Sequence, residues 1–81
     1  MLTRYIEAAM ARARYEILED GSYYGEIPVC PGVWANEPTL ETCRKILREV
    51  LEEWLLLKLQ DGDPLPSIAG IRLKRKTKAT V

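Results

Sequence analysis

The residues able to do chemistry are few, and their types narrow the field at once. No histidine occurs among the 81 residues. Imidazole is therefore absent both as an acid–base catalyst and as a metal ligand. The two cysteines, Cys30 and Cys43, are too few for a cysteine-only zinc site or a disulfide framework. Cys30 stands between Pro28 and Pro31 with no base and no adjacent cation to hold a thiolate, and reads as a small packed residue. Cys43 falls on an apolar stripe and reads as core. A bridge between them is not expected in a reducing compartment. No catalytic residue, metal or cofactor follows, and the chain reads as non-enzymatic. What remains are candidate surfaces. Tyr24, Glu26, Pro28 and Trp34 form an aromatic and acidic set of the kind that anchors a protein partner. Arg72, Lys74, Arg75 and Lys76 lie in the run RLKRKTK. That run suits salt-sensitive attraction to nucleic acid, or a strand edge whose lysines discourage sheet-to-sheet aggregation.

Charge is distributed unevenly behind a formal net of zero. Residues 1–15 carry a net +2, residues 16–63 a net −7 and residues 64–81 a net +5. The chain is an acidic body with a basic end. Hydrophobic residues make up 47% and charged residues 30%, a folding composition and not a disordered one. A chain of this length buries only about 60% of its unfolded surface, so one small domain over residues 1–81 is expected, helped by a partner or a second copy. Met1 to Ala13 mixes arginine and glutamate into its apolar residues and resembles neither a signal peptide nor a membrane span. A cytoplasmic location is the expectation.

The elements that must position these residues can be traced along the chain. Residues 3–12 read as a short helix capped by Thr3, with Leu2, Ile6, Ala9, Met10 and Ala13 on one face. Residues 13–18 alternate, with Ala13, Tyr15 and Ile17 apolar, and predict a strand. Asp20-Gly21 marks a hairpin turn, and residues 23–27 return as a second strand. Pro28, Pro31 and Gly32 break the ladder, and Val33–Asn36 form a third short strand. A three-stranded antiparallel meander follows. Thr39 caps a helix of about twenty residues ended by Asp61, Gly62, Asp63 and Pro64. Leu40, Cys43, Leu47, Val50, Trp54 and Leu57 set its stripe, widened by Ile46 and Leu51. The run from Trp54 to Leu57 is apolar around most of the helix, which leaves a surplus over what one sheet face needs. Trp54, Leu55 and Leu56 are therefore candidates for self-association, as a dimer or a tetramer. Ile71 to Lys76 alternate and predict a final strand, with Thr77–Val81 fraying beyond it.

The stretch Tyr24-Gly25-Glu26-Ile27-Pro28-Val29-Cys30-Pro31-Gly32-Val33 resembles the strand-and-loop signature of HicB-like antitoxins: an aromatic, a small residue, Ile-Pro, two variable positions and Pro-Gly. Thr39-Leu40-Glu41, then Leu47, Val50, Leu51, Trp54 and Leu55, then Asp61-Gly62-Asp63-Pro64-Leu65-Pro66 continue the likeness at about the family's spacing. The resemblance implies an α+β, partial RNase H-like fold: three antiparallel strands, a long helix and a fourth strand beside the first, here with an extra N-terminal helix over residues 1–12. It also implies a partner, a small HicA-like toxin that cleaves mRNA. Many members carry a C-terminal DNA-binding domain. Only Thr77–Val81 follow the last strand here, so the binding domain alone is expected.

An RNase H-like sheet raises nuclease chemistry, which needs several converging carboxylates to hold two metal ions. The first strand offers Glu16, the second Glu26, and the last strand no acid. Solvated strand faces are the simpler reading. The functional expectation is an antitoxin-like binding module whose acidic body suits a basic RNA-cleaving partner. The alternative is an orphan oligomeric domain that binds nucleic acid weakly through its basic end.

Overall fold

The structure, a computed structural model, describes residues 2–68. Helix α1 (Leu2–Ala11) leads into strands β1 (Arg14–Ile17), β2 (Tyr23–Glu26) and β3 (Trp34–Glu37), and helix α2 (Leu40–Asp61) follows. The strands form one antiparallel sheet in the order β1-β2-β3, the meander that the alternation predicts. The chain is thus a small α+β unit. The fourth strand expected over Ile71 to Lys76 and the tail Thr77–Val81 lie outside the described residues.

Local chemistry explains each junction. The Leu18 amide donates to the Ser22 carbonyl at 2.8 Å and closes the β1–β2 turn. Gly21 takes φ 85°, a conformation that costs glycine nothing. Asp20 braces the turn by accepting from the Ser22 amide and hydroxyl. The Pro-Gly loop is a closed structure: the Ile27 amide donates to Val33, the Cys30 amide to Ile27 and the Val33 amide to Cys30. Ile27, Cys30 and Val33 are consequently buried while Pro28, Val29, Pro31 and Gly32 face out. At α2, the Thr39 hydroxyl accepts from the Thr42 amide at 3.1 Å, and Glu41 sits in the first turn. Gly62, at φ 75°, ends the helix, its amide donating to Leu59 and that of Asp63 to Lys58.

α2 buries Cys43, Leu47, Leu51 and Leu55 against β2, β3 and α1. Each fully buried leucine contributes about 2 kcal/mol relative to exposure. Cys43, Leu47 and Leu51 belong to the expected stripe; Leu55 joins them in a row of every fourth residue, and Leu40 lies outside it, exposed. Val50 and Trp54 are half-buried at the margin of that row, and Leu57 is 60% exposed. α1 contributes Tyr5, Ile6 and Ala9 to the core. It already begins at Leu2, so Thr3 lies within its first turn and is not the cap the sequence suggested. The Tyr5 hydroxyl donates to the Pro66 carbonyl at 2.6 Å and ties α1 to the stretch that carries buried Ile68. Ile17, expected to face the core, is 65% exposed, because α2 covers β2 and β3 and leaves the backbone of β1 outside its footprint.

Candidate functional site

The face of the sheet turned away from α2 is set by strand alternation. Gly25 and Ala35 are buried beneath Cys43, whose thiol donates to the Ala35 carbonyl at 3.6 Å. Their neighbours Tyr24, Glu26, Trp34 and Asn36 must therefore point outward. Register aligns two rows across that face, Arg14–Glu26–Trp34 and Glu16–Tyr24–Asn36. The Tyr24 and Trp34 rings stack diagonally, with centroids 6.0 Å apart and planes inclined by 26°. The Tyr24 hydroxyl donates to Glu26 Oε1 at 3.2 Å. Asn36 Nδ2 donates to Ser22 Oγ and the Tyr23 carbonyl, both at 2.9 Å, which fixes the turn end of the face.

The face is electronegative. Partial burial pushes the Tyr24 phenol above its usual range, followed by the hydrogen bond to Glu26 and the charges of Glu26 and Glu16. The two ion pairs among the described residues, Arg48–Glu52 at 3.3 Å and Lys58–Asp63 at 3.8 Å, lie on and beside α2. Glu16, Glu26 and Arg14 thus reach the solvent side of the sheet with no ion-pair partner among the described residues.

Of the partner-contact set expected from sequence, the structure brings Tyr24, Glu26 and Trp34 together. Pro28 stands apart, beyond the end of β2, where it lines a cavity of about 330 Å³ with Ala11, Arg12, Arg14 and Val29. Glu16, Arg14 and Asn36 also belong to the face. Only the strand register adds them, because β1 and the middle of β3 meet β2 across the ladder and not along the chain. The self-association candidates divide likewise. Leu55 is a core residue at 1% exposure, Trp54 is half-buried with the Lys58 ammonium 5.5 Å from its ring centroid, and Leu56 is 57% exposed. Leu56 lines a groove of about 290 Å³ with Leu2, Ile6, Leu55, Leu59 and the charged Glu52. The basic residues Arg72, Lys74, Arg75 and Lys76 lie outside the described residues.

The remaining reactive side chains are committed to packing. Cys30 is fully buried, and burial pushes its thiol up to about 11. Burial, and then the charge of Glu37, also raises the Cys43 thiol. Neither is a ready thiolate at neutral pH. No group of three or more cysteine, aspartate or glutamate side chains that could hold a metal ion occurs among the described residues. None of the described helices is long and apolar enough to cross a membrane.

A family model described as UPF0150-like matches residues 4–66, which run from within α1 to Pro66, whose carbonyl Tyr5 holds. The chain belongs to the UPF0150-like family. The family match takes in most of α1, the meander with its Pro-Gly loop, and α2. Among solved structures, the crystal structure of TTHA0281 from Thermus thermophilus is similar at 50% sequence identity and a TM-score of 0.85. The similarity covers 90% of this UPF0150-like chain and 91% of that one. No curated protein matches the chain.

Proposed function

We propose that this UPF0150-like domain is an antitoxin-like protein-binding module that neutralises a HicA-type mRNA-cleaving toxin by covering its RNA-binding surface. In this reading the domain is of the partial RNase H-like type and works as a cytoplasmic homo-oligomer. One observation carries the reading: a solvent-facing sheet surface that joins a stacked Tyr24–Trp34 pair to Glu16 and Glu26, two carboxylates with no ion-pair partner among the described residues. Exposed aromatics supply contact area, and unpaired carboxylates select a basic partner and speed its encounter. The Ile27–Val33 loop supports the same reading. It holds Pro28 and Val29 outward on a hydrogen-bonded frame, a rigid projection at the end of β2.

The test is co-expression with a HicA-type toxin from the same genome. The reading expects growth to be rescued and a complex to survive copurification. No complex at micromolar concentrations, with toxicity undiminished, overturns it. The alternative, weak nucleic-acid binding by the segment with five cations between residues 72 and 78, is favoured by that sequence run. It requires salt-sensitive retention of RNA or DNA that is lost when Lys74, Arg75 and Lys76 are replaced by alanine.

A further inference from the structure

We infer that the outer face of the sheet is an arginine-recognition platform, on which a guanidinium of a basic protein partner stacks on Trp34 and bonds to Glu26. The inference rests on the protein-binding reading and names the side-chain chemistry that the partner must bring.

The geometry supplies both halves of such a site. Trp34 is 54% exposed, and its ring lies diagonal to Tyr24. The register sets Glu26 directly across from Trp34. A planar cation resting on the indole therefore has a carboxylate within one strand spacing, roughly 5 Å. Tyr24 steadies that carboxylate by donating to Oε1, and Oε2 remains to accept from the ligand. Glu16, across from Tyr24 on the other side, adds a second negative charge without a second pairing demand. Arginine fits better than lysine because one flat, weakly hydrated group meets the ring face and the carboxylate together.

No internal cation fills the place among the described residues. Arg14 faces Glu26 from β1, the side away from Trp34, and makes no ion pair with it. The close approach of a cation to an indole among the described residues is that of Lys58 to Trp54, on α2. A phosphate-bearing partner is disfavoured here, because Glu16 and Glu26 repel it. The occupant is thus a protein side chain.

The experiment titrates full-length protein with a capped heptapeptide carrying two arginines in alternate positions, beside lysine and citrulline versions, with affinities read by calorimetry for every variant and the Trp34 indole N–H resonance followed wherever Trp34 is retained. The arginine peptide should bind about fivefold more tightly than the lysine peptide and shift that resonance, and the citrulline peptide should not bind. Trp34→Ala and Glu26→Gln should each weaken arginine-peptide binding about threefold or more. Glu26→Gln preserves an acceptor for Tyr24, so it reads the charge with the fold retained. Equal affinity for arginine and lysine, or affinity unchanged in both variants, overturns the platform. A drop in oligomeric state on Trp34→Ala overturns it in favour of a second copy as occupant. The titration contains no toxin. Toxin binding that survives both substitutions ends the platform and spares the antitoxin reading, whereas peptide binding without toxin rescue does the reverse.

Discussion

Replacing Gly25 with alanine tests the packing that supports the open face. A Cβ at this position would stand 2.8 Å from both Cδ1 and Cε1 of Tyr15 and 3.1 Å from Cys43 Sγ. Tyr15 is its cross-strand partner, and the ring lies over the glycine. Cys43 presses from α2, held by its bond to the Ala35 carbonyl. The methyl group is thus trapped between a ring and a helix, and neither retreats freely. Overpacking of this kind costs about 1–3 kcal/mol. Reduced freedom of the unfolded chain returns about 0.4–1 kcal/mol. The net loss is about 1–2 kcal/mol, and each kcal/mol lowers Tm by about 4–8 °C in a domain of this size. Thermal unfolding followed by circular dichroism at fixed protein concentration reads it directly. A double-mutant cycle sharpens the result: in a Tyr15→Ala background the alanine at position 25 should cost at least about 0.5 kcal/mol less. An unchanged or raised Tm for Gly25→Ala would refute the reasoning.

Other outcomes follow from single contacts. Tyr5→Phe removes the donor to the Pro66 carbonyl and should cost about 1 kcal/mol in denaturant unfolding, with faster amide exchange in α1. Alkali should destabilise the protein. Burial pushes Cys30 up to about 11, and burial with the charge of Cys30 pushes Tyr5 up to about 12. Between about pH 9 and 12 the unfolded chain binds fewer protons than the folded one, so stability present below pH 9 falls as pH rises, and Cys30→Ala should blunt the first part of the fall. Leu56→Asp places a charge on the exposed, mainly apolar groove and should shift sedimentation from a dimer or tetramer to monomer at micromolar concentration, with a lower Tm that no longer depends on protein concentration.

How far the sequence discloses this molecule depends on how local each signal is. Thr39, Gly62 and the Asp20-Gly21 turn are readable because capping and turn chemistry act within four residues. Cys43, Leu47 and Leu51 of the buried line of α2 are readable from its stripe, but its end at Leu55 is not, since Trp54 to Leu57 are apolar all round and offer no polar contrast to orient the helix. The sheet selects Leu55 and rejects Leu57. Ile17 has the right parity for the core, but its exposure is decided by where α2 ends laterally, a tertiary fact. The docking face shows the same division. Tyr24, Glu26 and Trp34 are visible as neighbouring types in strands, whereas Glu16 and Asn36 join them only through register. Gly25 gains its meaning from structure too: the small residue of the strand signature sits where the Tyr15 ring and Cys43 leave no room for a side chain.

The central claim is that the open face binds a basic protein toxin. Its most direct measurement is the affinity of the purified full-length protein for a HicA-type toxin, beside its Glu26→Gln and Trp34→Ala variants. The account predicts a complex at submicromolar concentration for the parent chain and at least about threefold weaker binding for each variant. Absence of a complex with the parent chain at micromolar concentration would contradict it.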